Sequence, residues 1–71
     1  MNTDYNFGKV LKALRTEQNI SQQKLAKRLN VSQDTVSLWE LNKSLPDFMS
    51  IRELAKIFDV SADFLLGLSA F

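Results

Sequence analysis

Few side chains in these 71 residues could take part in covalent chemistry. The sequence has no cysteine and no histidine. That excludes a disulfide, a zinc site within the chain, and a thiol or imidazole nucleophile. The carboxylates of residues 44–71, Asp47, Glu53, Asp59 and Asp63, are scattered, with no pair set in a recognisable pocket. An enzyme is therefore the poorest reading, and no catalytic residue, metal or cofactor is implied. Hydrogen-bonding chemistry is better supplied. The stretch "SQQKLAKRLNVSQDTVSLWE", Ser21 to Glu40, is studded with amides, hydroxyls and cations. Gln33 offers a donor and an acceptor together, whereas Asp34 offers acceptors alone.

The charge is distributed unevenly along the chain. Residues 9–43 hold seven Lys/Arg against three acids, a local charge of +4, and residues 44–71 carry −2, while the whole chain is only +1. A basic first part and an acidic end fit a face for an anionic partner, or ordinary solvated charge. No apolar run is long enough to span a bilayer, and the N-terminus lacks the form of a signal peptide. A cytoplasmic domain without membrane contact is the expectation.

These polar groups need elements to position them. Phe7, Val10, Leu11 and Leu14 repeat at helical spacing and predict a helix over about Asn6–Gln18, ended near Asn19. Ser21 reads as the N-cap of a helix from Gln22 to Leu29, with Leu25, Ala26 and Leu29 inward. Asn30 tolerates the left-handed turn, Val31 plugs the corner, and Ser32 caps a helix from Gln33 to about Leu41 around Val36 and Trp39. "LNKSLPD" reads as a loop, and Asp47 caps a fourth helix to about Phe58. Ser61 caps a short fifth helix to about Leu66, stopped by Gly67. The one proline and both glycines are read as lying outside the periodic segments. The expectation is all-α: a compact five-helix domain over residues 1–71.

Helices this short are marginal alone and must brace one another. Counting Gln22 as the first position of a 20-residue unit, apolar residues fall fourth, eighth, tenth, fifteenth and eighteenth. The small Ala26 is fifth, where two steeply crossing helices must approach closely, and the turn-tolerant Asn30 is ninth. These are the demands of two helices joined by a short turn at a steep angle. The motif occupies about residues 22–41.

On these residues the chain resembles the phage-repressor-like family of Cro/C1-type, or Xre, helix-turn-helix domains. "LKALRTEQNISQQKLA", "VSQDTVSLWE", "SLPD" and "LAKIFDVSADFLLG" look like the family's segments in its order, over about residues 7–67. The resemblance implies a sequence-specific double-stranded DNA-binding transcriptional regulator, a repressor, with Gln33–Leu41 as recognition helix in the major groove. Carried over residue by residue, it implies base-edge contacts from Gln33, Asp34, Ser37 and Leu38. It implies phosphate contacts from Gln22, Ser32, Thr35, Asn42 and Lys43, and an ion pair between Arg15 and Glu40. Asp34 remains open between two roles: accepting from a cytosine amine, or favouring the helix dipole while facing away from DNA. Trp39 faces inward and is read as core rather than as a base-stacking platform. The family's usual Glu-Asn-Gly is here "ELN", so Leu41 and Asn42 depart from it.

Leu66, Leu68 and Phe71 exceed what so small a core can bury, and the family implies a homodimer on an operator through this end. The other reading is a protein-interaction module of the same fold, binding a toxin, a kinase or another regulator through the acidic end.

Overall fold

The structure, a computed structural model, describes residues 5–68. It contains α1 (Phe7–Glu17), α2 (Gln22–Leu29), α3 (Gln33–Glu40), α4 (Phe48–Phe58) and α5 (Ala62–Leu65), with no strand among the described residues. The starts follow from capping. The side chains of Asn6, Ser21, Ser32, Asp47 and Ser61 each accept from the backbone N–H three residues on, contacts worth about 1 kcal/mol apiece. The Ser50 N–H holds the Asp47 carboxyl below its ordinary range. That cap contributes above the unfolded pKa and is lost as pH falls through the depressed one.

The ends follow one rule as well. After each helix a residue adopts positive φ: Asn19, Asn30, Asn42, Asp59 and Gly67. The next residue's N–H then reaches back five residues, as from Ile20 to the Arg15 carbonyl, Val31 to Ala26 and Val60 to Ala55, at 3.0 Å in each case. Ile20 is buried, and Val31 and Val60 pack against the core, so the turn that ends each of these helices also supplies an apolar plug.

Phe7, Leu11, Ile20, Leu25, Ala26, Val36, Trp39, Ile51, Leu54, Phe58 and Leu65 form one core. Trp39 is in it, as expected, whereas Phe64, whose apolar side chain would suit a core, is only half-buried. The Tyr5 hydroxyl donates to the Leu65 carbonyl and ties the start of the described chain to α5. Burial of that phenol raises its pKa.

One expectation is corrected. Gly8 lies inside α1, not outside the periodic segments, because α1 crosses the end of α3 at backbone contact. A Cβ on Gly8 would sit 2.2 Å from the Glu40 carbonyl oxygen and 2.8 Å from that of Trp39. Gly8→Ala is expected to destabilise the domain by about 1–3 kcal/mol, with a melting temperature lower by roughly 5–20 °C in a thermal scan, because two backbones must move apart.

Candidate nucleic-acid interface

The interface is built on α3, which has two faces. Val36 and Trp39 are buried, while Gln33, Asp34 and Leu38 are exposed, and Ser37 and Thr35 are half-buried between them. The Ser32 hydroxyl accepts from the Thr35 N–H at 3.2 Å and lies 2.9 Å from the Thr35 hydroxyl, so the two form one capping unit at the head of the helix. Between α2 and this head runs a shallow groove of about 770 Å³, lined by Ser21, Gln23, Lys24, Lys27, Val31 and Gln33, among others. Two cations thus stand beside Gln33. Gln23 lines this groove, a placement that the sequence did not single out; the expected α2 contact was its neighbour Gln22.

That neighbour points elsewhere. Gln22 Nε2 donates to Glu40 Oε1 at 3.0 Å, so its side chain is spent on joining the start of α2 to the end of α3. A phosphate at this end of α2 would meet the first-turn amides, which lack partners within a helix. The expected Arg15–Glu40 pair is present and bidentate, with Nε to Oε2 at 2.6 Å and Nη2 to Oε1 at 3.1 Å. The Arg15 and Glu40 side chains are only 11% and 5% exposed. Arg15 also donates to the Ile20 carbonyl, and the Glu40 hydrogen bond raises its already high pKa. Little of this pair is left for solvent.

Asn42 is likewise committed. Its Oδ1 accepts from the Gly8 N–H at 2.9 Å, and its Nδ2 donates to Asn6 Oδ1 at 2.7 Å. The sequence did not disclose this brace, because nothing local marks Asn42 as a partner of α1. Lys43 next to it is exposed, with its N–H donating to the Leu38 carbonyl at 2.9 Å. The structure therefore gathers Gln33, Asp34, Ser37 and Leu38 on one helix and sets Lys43 just beyond its end. The side chains of Gln22 and Asn42 are engaged within the domain, by Glu40 and by the start of α1.

Leu66 and Leu68 are exposed, and Phe71 lies outside the described residues. Leu66 lines an apolar groove of about 320 Å³ with Tyr5, Phe7, Leu45, Pro46, Ile51 and others. Leu45 and Phe48, at 74% and 78% exposed, extend the uncovered apolar surface beyond what the sequence indicated. No helix is long and apolar enough to cross a membrane, and no group of three or more candidate metal ligands occurs among the described residues.

Comparison with known proteins agrees with this geometry. The model of the helix-turn-helix family matches residues 11–65. The chain is 40% identical over 61 residues to the HTH-type transcriptional activator BcrR of Enterococcus faecalis, covering 86% of this chain and 30% of that one. It is 38% identical over 60 residues to the SPbeta prophage-derived uncharacterized HTH-type transcriptional regulator YonR of Bacillus subtilis (strain 168), covering 84% and 56%. The chain thus spans well under two thirds of the length of either relative. Among solved structures, the P22 c2 repressor in complex with a synthetic operator superposes with a TM-score of 0.85 at 29% identity, over 92% of this chain and 98% of that one.

Replacing Glu40 with Gln keeps its shape and leaves the Arg15 guanidinium buried without a counter-charge. The expected loss is roughly 3 kcal/mol at neutral pH, read as a lower midpoint in urea unfolding.

Proposed function

Because the chain belongs to the Cro/C1-type helix-turn-helix family, we propose that it is a transcriptional regulator that binds double-stranded DNA sequence-specifically, with α3 in the major groove. The observation that carries this is the outward face of α3. It presents hydrogen-bonding groups beside Lys24 and Lys27, on a helix locked from behind by Arg15 and Glu40. The likeness to a repressor bound to its operator supports it.

In this reading Gln33, Asp34, Ser37 and Leu38 meet base edges. The head of α2 at Gln22, the Ser32–Thr35 unit, and the turn at Asn42 and Lys43 meet phosphates. The protein acts in the cytoplasm as a repressor, by occupying a promoter. Two copies bind as a homodimer through the apolar end at Leu66 and Leu68, with Phe71 beyond them, so that two recognition helices stand about 34 Å apart, one turn of DNA. BcrR is named an activator, and activation is the second reading of the same DNA contact. A reporter whose promoter carries the bound site decides the sign.

The test is selection from a random double-stranded library, followed by binding at two salt concentrations. An inverted repeat with half-sites one turn apart, bound more weakly at high salt, is expected. Gln33→Ala should cost about 1–3 kcal/mol on that site and relax one base position. Lys43→Ala should weaken all sequences alike and lower the salt slope by about one for each bound protomer. No enrichment by the unaltered protein would favour the protein-interaction module instead.

A further inference from the structure

The recognition helix carries no Lys or Arg anywhere between Gln33 and Glu40. Its two formal charges are both negative, and Glu40 is buried against Arg15. Asp34 is therefore the single formal charge on the outward face of α3. It is exposed and has no ion pair or side-chain hydrogen bond, since the ion pairs of the described residues are Arg15–Glu40 and Lys56–Glu53. The cap hydrogen bond of α3 is accepted by Ser32 from the Thr35 N–H, so the Asp34 side chain is not used in it. One turn further on, Leu38 is 41% exposed and sits on the same side of the helix.

We infer that Asp34 is a specificity-determining residue that selects cytosine at one base pair of each half-site and penalises every other duplex. This rests on the DNA-binding reading above. A carboxylate can only accept hydrogen bonds. In the major groove, guanine presents N7 and O6 and thymine presents O4, all acceptors that repel it. Adenine presents its amine beside the N7 acceptor, whereas cytosine presents the N4 amine alone. Phosphates on both walls of the groove repel the carboxylate at every base pair, and only the hydrogen bond from that amine offsets the repulsion. With Leu38 on the same side of the helix, DNA closing over both would lower the local polarity, which strengthens both the repulsion and the hydrogen bond. A cation at this position would hold any DNA, while Asp34 gives up general affinity for discrimination.

The test is a thermodynamic cycle on the site selected by the unaltered protein, with Asp34→Asn as the partner variant. Asp34→Ser is run alongside to remove the carboxylate in a second way. Changing the selected cytosine to thymine should weaken the unaltered protein by about 5- to 100-fold. Both variants should lose less than about 2-fold, the coupling that the cycle isolates. Both variants should also bind an unrelated duplex more tightly at low salt than the unaltered protein does, with the gap closing as salt rises.

Three results would overturn the assignment, and they are separable. Equal penalties for all three proteins would remove Asp34 from base reading while leaving the DNA-binding function intact. A selected site without a cytosine preference would do the same. Failure of the unaltered protein to select any site would overturn the DNA reading, and this role with it.

Discussion

The fold turns on one close approach, that of the first turn of α1 to the last carbonyls of α3. Gly8 makes it possible, because any side chain there would strike the Glu40 backbone. Two further contacts converge on the same end of α3. Asn42 clasps the Gly8 N–H and Asn6, and the Glu40 carboxylate takes Arg15 from α1 and Gln22 from α2. A helix of eight residues cannot hold itself in water, so its direction comes from what grips it. Here the grip is at the C-terminal end, while Val36 and Trp39 wedge the middle into the core. The N-terminal turn, with Gln33 and Asp34, is left projecting.

The chemistry of that grip has a cost. Burying Glu40 and Arg15 removes two charges from water, and an apolar pair of equal volume often packs at least as stably. A guanidinium and a carboxylate joined by two parallel hydrogen bonds have one mutual orientation, however, where apolar side chains slide through several. Gln22 takes up a further lone pair of Glu40, and no buried polar side-chain atom among the described residues lacks a partner. Three helices are thus locked at one carboxylate. A domain that must present a helix edge to a rigid partner within a fraction of an ångström gains more from that uniqueness than from extra stability.

What the sequence discloses and what it hides divide along one physical line. Helix starts were legible because Ser21, Ser32, Asp47 and Ser61 act on amides three residues away. The ends at Asn19 and Asn30 were legible because positive φ favours that residue type, and the Gln22-to-Trp39 spacing because two crossing helices demand it. Asp59 takes the same conformation and was not singled out, since aspartate has many other uses. Gly8, Asn42 and the inward turn of Gln22 stayed hidden because their partners are far away in sequence. The exposure of Leu45 and Phe48 was hidden for a related reason: periodicity shows which side of a helix is apolar but not whether anything covers a loop.

The turn after α3 joins these themes. All five helices end with a positive-φ residue whose successor reaches back to a carbonyl five residues earlier. In such a motif the successor is ordinarily apolar and covers the residue it bonds to. Ile20, Val31 and Val60 conform and pack on the core. After α3 the successor is Lys43, bonded to the carbonyl of Leu38. One substitution of type therefore has two consequences. The backbone that carries the cation is held by the same hydrogen-bonded turn as that of the plugs. Leu38, deprived of its apolar cover, is left exposed on the outward face beside Asp34.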